Sequence, residues 1–380
     1  MKKNQLVTLG KHIDILSGCA FPSSGFNRNN GVPLIRIRDI LSGKTETYYE
    51  GCYDLKYLIK KGDLLVGMDG DFNREYWKGT DALLNQRVCK ITPNPETLDK
   101  NFLYHFLQKE LDKIHATTDV VTVKHLSVKK IQDIKIRLPS LKEQKRIATI
   151  LDKADAIRQK REQAIKLADD FLRAKFLEMF GTPANNIHRF PKGTIRDLVD
   201  SVNYGTSAKA SIDSGEYPIL RMGNITYQGR WDFTDLKYLD LSVKEKDKYL
   251  VKEGDLLFNR TNSKELVGKT AVYEEDRPMA FAGYLIRVRS NSIGNNYYIS
   301  GYLNSIHGKI TLMNMCKSIV GMANINAQEL QNIEILIPPK HLQDEYEIIY
   351  KKIKKGLSIY DKSAMQLQLL ASNLSNKYFM

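Results

Sequence analysis

The chain is short of cysteine, histidine and unbroken apolar sequence, and each shortage closes off a class of protein. Its 380 residues hold 4 cysteines and 7 histidines. Cys19, Cys52, Cys89 and Cys316 are far apart and form no Cys-x-x-Cys pair, and no histidine joins them at metal-ligand spacing. Zinc modules are therefore not expected, and no metal is assigned to the chain. Residues 1–6 are followed by no apolar run of the secretory kind, so reduced thiols and a cytoplasmic location are expected. No stretch approaches the ~18 consecutive apolar residues of a membrane span. The sequence also has no Gly-rich phosphate loop ending in Lys-Ser/Thr, no nucleophile elbow and no His-Glu-x-x-His. It has no Gly-x-Gly-x-x-Gly after a strand either.

Acidic charge is in deficit too. Lys and Arg number 58 against 44 Asp and Glu, a net charge of +14. With 42% hydrophobic residues the chain has the makings of two or three globular domains. An excess of positive charge on such a protein favours a polyanionic partner, nucleic acid first. The excess is uneven: residues 1–190 carry 33 basic and 23 acidic side chains, residues 191–380 carry 25 and 21. The run Lys351-Lys352-Lys354-Lys355 reads as a solvated helix face.

The sequence repeats itself. Pro33-Leu34-Ile35-Arg36-Ile37-Arg38-Asp39-Ile40 returns as Pro218-Ile219-Leu220-Arg221-Met222-Gly223-Asn224-Ile225, an offset of 185. Lys61-Gly62-Asp63-Leu64-Leu65-Val66 returns as Glu253-Gly254-Asp255-Leu256-Leu257-Phe258, an offset of 192. Ile131-Gln132-Asp133-Ile134 through Pro139 returns as Leu330-Gln331-Asn332-Ile333 through Pro338, an offset of 199. Order is kept while the offset drifts, as in a duplicated scaffold whose loops have diverged.

Each copy reads as an α+β module followed by one long helix. Strands are expected over residues 34–40, 63–66, 86–91 and 133–138, and again over 219–225, 255–258, 284–288 and 332–337. The Gly-Asp triplets form turns that deliver the chain into buried strands. Shorter helices fit residues 101–114 and 296–310 by apolar spacing. From Leu141 to Phe180 there is neither proline nor glycine, and helix formers dominate. Steps of three and four give a seam through Ile147, Ile150, Ala154, Ile157, Arg161, Ala164, Ala168 and Phe171. The second helix offers Leu342, Tyr346, Ile349, Ile353, Tyr360, Leu367 and Leu374, with Gly356 weakening its middle. Forty helical residues span roughly 60 Å at ~1.5 Å per residue, so each stripe needs a partner. The two helices either pair as an antiparallel two-helix coiled coil with a module at each end, or pack separately on their own modules. The expected division is residues 1–139, 140–181, 182–338 and 339–380, with Gly181-Thr182-Pro183 ending the first helix.

Binding, not catalysis, fits what remains. After the first Gly-Asp strand come Asn73, Arg74, Tyr76 and Lys78, and the matching stretch of the second copy reads Asn259-Arg260-Thr261-Asn262-Ser263-Lys264 and then Lys269. Arg and Lys can pair with guanine edges, Asn and Gln with adenine, while Lys, Ser and Thr also hold phosphates. Aromatic neighbours add stacking. Arg36 and Arg38 fall on one face of their expected strand, with Arg221 at the place of Arg36 and Asn224 close by, and Gln86 and Arg87 open another strand. The acids Asp69, Asp71 and Glu75 are the one cluster suited to a divalent ion for nuclease chemistry. The second copy lacks them, so a solvated loop is expected.

These motifs, in their order, resemble the specificity subunits of type I restriction-modification systems. The resemblance rests on Gly62-Asp63-Leu64-Leu65-Val66-Gly67-Met68-Asp69-Gly70 with Leu84-Asn85-Gln86-Arg87-Val88. In the second copy it rests on Gly254 through Ser263, Leu266-Val267-Gly268-Lys269-Thr270 and Phe281-Ala282-Gly283-Tyr284-Leu285. Pro139-Ser140-Leu141-Lys142-Glu143-Gln144 resembles the family's helix start, whereas the second copy has Gln343-Asp344-Glu345 where Glu-Gln is expected. The resemblance implies two target-recognition domains, a chain without catalysis or bound cofactor, and double-stranded DNA as ligand. It also implies two methyltransferase subunits that use S-adenosylmethionine, and motor-nuclease subunits that use ATP and Mg. A type II-like system with a separate specificity chain, and a coiled-coil scaffold for protein partners, remain as alternatives.

Overall fold

In a computed structural model, residues 6–118, 124–316 and 322–379 are described, without the side chains of 359, 361, 362, 364 and 378. Residues 1–5, where a secretory signal would begin, lie outside them. The chain divides into two compact units, residues 1–160 with 363–380 and residues 161–362. This differs from four consecutive parts: each unit takes a module together with a segment from both long helices, because those segments complete the module's core.

In the first unit a four-stranded antiparallel sheet runs in the order Ile13–Ser17, Val88–Pro93, Leu64–Gly67, Arg74–Tyr76. In the second the order is Val199–Tyr204, Leu285–Ser290, Leu256–Asn259, Thr270–Val272, again antiparallel throughout. Each Gly-Asp triplet makes the turn expected of it. Gly62 and Gly254 have φ of 90° and 87°, which side chains with a Cβ rarely adopt. The aspartate that follows folds back on the turn: Asp63 accepts the Lys60 amide at 2.8 Å and Asp255 the Lys252 amide at 2.9 Å. Both also meet a cation from the central strand, Lys90 at 3.0 Å in one unit and Arg289 at 2.7 Å in the other.

A second sheet, five-stranded in the first unit and three-stranded in the second, holds the parallel pair Val32–Ile35 with Ala82–Leu84, matched by Tyr217–Leu220 with Ala280–Phe281. Here the strands stop earlier than their apolar pattern implies. Residues 36–40 and 221–225 turn instead through short 3-10 helices at Ile37–Asp39 and Met222–Asn224. Asp39 and Asn224 cause the break, accepting the amides of Arg36 and Arg221, each at 2.8 Å. Arg36 and Arg38 therefore do not share a strand face. A shared two-stranded ribbon closes each module, Leu6–Thr8 with Lys135–Arg137 and Lys192–Thr194 with Glu334–Leu336.

The expected single helix over 101–114 is Lys100–Ala116, capped by Asp99. Its counterpart is broken in two, Asn296–Asn304 and Ile306–Met315, because Ser305 is extended and caps the second piece through the Gly308 amide. The long helices are Leu141–Phe180 and Lys340–Phe379, 40 residues each. At the start of each stands a buried glutamine with the same two bonds. Gln144 donates to the carbonyls of Thr97 and Pro139 at 3.0 and 2.9 Å. Gln343 donates to those of Ile293 and Pro338 at 2.9 and 2.8 Å. The second copy thus keeps the glutamine of the helix-start motif at the matching place and lacks only the glutamate, since Leu342 stands where Glu143 does.

The seam follows the modules, not one straight line. In the first unit Ile147, Ala148 and Leu151 are buried, Ile150 and Ala154 are half-buried, and Ile157 is 39% exposed. Phe379 closes this core, its ring 5.3 Å from Phe102 and 5.7 Å from Phe106. In the second unit burial passes through Leu172, Phe176 and Phe180, leaving Phe171 50% exposed. Phe176 and Phe180 meet Tyr346 at 5.3 and 5.9 Å, so the two helix segments pack on each other there. Leu342, Ile349, Ile353 and Leu367 are half-buried. Replacing Phe379 by Ala should destabilise the first unit by about 3–5 kcal/mol, the usual cost of emptying a buried aromatic site, read as a lower urea midpoint. Gln144→Leu, which leaves the carbonyls of Thr97 and Pro139 without this donor and the Asp99 amide without its acceptor, should cost about 1–3 kcal/mol by the same measurement.

Candidate nucleic-acid interface

In the first unit an open concavity lies where the two sheets meet. Gly18 lets the chain reach the 84–86 segment: a Cβ at this position would sit 2.0 Å from the Asn85 carbonyl oxygen. Cys19 and Asn85 form a bridge there, as Thr206 and Ala282 do in the second unit. Arg36, Arg38, Gln86 and Arg87 all line the concavity, joined by Phe21 and Phe26. The Arg36 guanidinium lies over the Phe26 ring, 5.4 Å from its centre. Four basic or amide side chains separated by fifty residues of sequence thus face one hollow with aromatic walls. Phe21 and Phe26 carried no sequence signal, since neither belongs to a repeated motif.

Other expected residues lie elsewhere. Tyr76 stacks on Tyr104 of the Lys100–Ala116 helix at 4.6 Å and donates its hydroxyl to the Lys100 carbonyl at 3.0 Å. Arg74 covers the other side of this contact, its guanidinium 3.4 Å from the Tyr104 ring centre. Asn73 accepts the Gly67 amide through its backbone at 2.8 Å, and Lys78 is exposed and paired with Glu75 at 3.4 Å. These four belong to the hairpin's packing and none lines the concavity. The acids do not converge. Asp69 meets Arg87, Glu75 meets Lys78 and Tyr104, and among the described residues no group of three His, Cys, Asp or Glu is placed to hold a metal ion.

In the second unit three expected contacts are buried. Asn224, 3% exposed, donates to the carbonyls of Asp232 and Asp235 at 2.8 and 3.0 Å besides capping its turn. Asn259 is fully buried at the end of its strand. Lys269, 8% exposed, donates to the Met222 carbonyl at 2.8 Å, and burial lowers its pKa. All three are buried within the frame of the free chain. Arg221 is half-buried and paired with Asp235 at 2.8 Å. Arg260 lies over the exposed Tyr204 ring at 4.8 Å. Thr261 bonds Asn324 at 3.1 Å, Asn262 accepts the Ser263 amide at 2.9 Å, and Lys264 is exposed.

The strand register matches the two surfaces position by position. Val88 pairs with Gly67 and Leu285 with Asn259. The Met68 amide donates to the Arg87 carbonyl as the Arg260 amide donates to that of Tyr284. Leu126 donates to the Met68 carbonyl as Ile325 does to that of Arg260. Arg87 therefore corresponds to Tyr284 and Met68 to Arg260: one backbone frame presents different chemistry in each unit.

A duplicated α+β module, each copy bearing a different set of polar and aromatic side chains on one frame, defines a protein of paired recognition domains. The chain belongs to the family described as Type I restriction modification DNA specificity domain, whose model matches residues 1–167 and 190–371. It is 46% identical over 173 residues to the EcoBI specificity subunit of Escherichia coli, a match covering 44% of this chain and 36% of that one. It is 23% identical over 377 residues to the EcoKI specificity subunit of E. coli strain K12, covering 92% and 80%. In fold it is similar to the crystal structure of a Type-I restriction-modification system S subunit from M. genitalium, at TM-score 0.66 and 15% identity, covering 100% and 97%.

Among the described residues no helix is long and apolar enough to cross a membrane. Asn224→Ala should lower thermal stability by about 1–3 kcal/mol through its lost buried bonds and leave any DNA sequence preference of the folded protein unchanged.

Proposed function

We propose that the chain is the DNA-reading subunit of a type I restriction-modification complex. Each module reads one half of a split, asymmetric duplex site, using the surfaces around Arg36, Arg38, Gln86 and Arg87 in one unit and Arg260, Tyr204 and Tyr284 in the other. The observation that carries this reading is the common frame with unlike side chains at matched positions, which suits two half-sites of different sequence. The net charge of +14 supplies nonspecific attraction to phosphates, and the few side chains that reach base edges supply discrimination.

The chain carries out no chemistry in this reading. Two methyltransferase subunits dock on the long helices, extract the target adenine from the duplex and methylate it with S-adenosylmethionine. Motor-nuclease subunits join them and use ATP and Mg. The setting is the cytoplasm, where such a complex meets DNA.

Binding of the full chain to random-sequence duplex tests the electrostatic part. Affinity should fall steeply with salt, each neutralised phosphate adding about 0.9 to the slope of log K against log salt. A protein scaffold without DNA function would show a flat, weak background. Arg260→Ala should alter the preference in one half-site only. Uniform weakening on all sequences would make Arg260 a phosphate contact.

A further inference from the structure

Arg87 is held more closely than the other basic side chains lining the concavity, of which Arg38 meets Asp39 only at 3.7 Å. Its NH1 lies 2.9 Å from Asp69 Oδ2, and the other oxygen of that carboxylate lies 2.5 Å from His125 Nδ1. Asp69 and His125 are themselves fixed by a backbone bridge, and the Leu126 amide next to it donates to the Met68 carbonyl at 2.7 Å. The carboxylate is 17% exposed, whereas the Arg87 side chain is 53% exposed. One nitrogen of the guanidinium is thus paired with a carboxylate held at a backbone bridge, while the rest of it stands free at the rim of the concavity.

The same three frame positions are neutral in the second unit. Tyr284 replaces Arg87, and the strand pairing of Thr261 with Asn324 replaces that of Asp69 with His125. The ionic group is therefore no requirement of the fold, since the duplicate builds the same frame without it. A phosphate contact needs only a flexible cation. A planar guanidinium with one nitrogen paired keeps its other donors for bidentate donation in a restricted direction, the geometry that recognises O6 and N7 of guanine.

We propose that Arg87 is a specificity-determining residue that selects guanine at one position of one half-site, with Asp69 and His125 as its positioning residues. The inference rests on the reading of the chain as a DNA-recognition subunit and names the residue that discriminates. The test selects bound duplexes from a random pool with the full chain, comparing wild type, Arg87→Lys and Asp69→Asn at a fixed salt concentration. Wild type should enrich a split motif. Arg87→Lys, which keeps the charge, should lose about ten- to hundredfold preference for guanine at one position while every other position holds. Asp69→Asn should relax the same position, because the guanidinium is no longer aimed.

A wild-type motif that both variants reproduce at every position overturns the inference and leaves the DNA-reading function standing. Equal weakening on all sequences by Arg87→Lys also overturns it, making Arg87 a phosphate contact. If wild type enriches no motif, the functional reading itself falls, and the inference with it.

Discussion

A buried glutamine at the start of each long helix is the contact on which the rest of the molecule depends. Gln144 and Gln343 each donate to two carbonyls, one on the segment that leads into the helix and one on the module behind it. An amide can make both bonds from a single side chain, and a buried carbonyl left without a donor is costly. The glutamine therefore fixes where the helix leaves the module, and the hydrophobic contacts follow from that: Ile147, Ala148 and Leu151 come to lie on one core, and Tyr346 comes to meet Phe176 and Phe180 in the other. It is also why each compact unit contains helix as well as module.

Duplication supplies a control that a single domain lacks. Whatever both copies share at matched positions belongs to the frame, and whatever they change is free for function. The Gly-Asp turn is shared, with its returning carboxylate and, at the matched position of the central strand, a cation that meets it, Lys90 at 3.0 Å and Arg287 at 3.9 Å. Shared too are the residues that end the first parallel strand, Asp39 and Asn224, which differ in charge yet make the same backbone bond. Changed positions include the ends of the central strands, where Met68 corresponds to Arg260 and Arg87 to Tyr284 in the repeat. Divergence at that edge, over a shared hydrogen-bond pattern, is what a pair of readers with different targets requires.

Much of the fold was legible in the sequence because its strongest signals are local. Proline-free helices, glycines at positive φ and a drifting but collinear repeat need no knowledge of tertiary packing. The failures have equally definite causes. The apolar alternation of residues 34–40 continues past the true strand end, and only the side chain of Asp39 turning back on Arg36 stops it. Phe171 obeyed the seam spacing yet is exposed, because the module end of the helix presents Leu172, Phe176 and Phe180 to its core. At the site, Arg36, Arg38, Gln86 and Arg87 were visible as polar residues beside repeated motifs. Asn224, Asn259 and Lys269 had the same appearance and are buried, since composition cannot distinguish a side chain that caps the frame from one that faces solvent. Phe21, Phe26 and His125 were missed because they reach the site from outside the repeated motifs.

The central claim, two unlike readers on one duplicated frame, is tested most directly by mapping methylated adenines across the genome of cells that express this chain with its methyltransferase. The account predicts a single split motif, asymmetric between its halves and separated by a gap of fixed length and free sequence. A contiguous palindrome, or methylation without any motif, would contradict it.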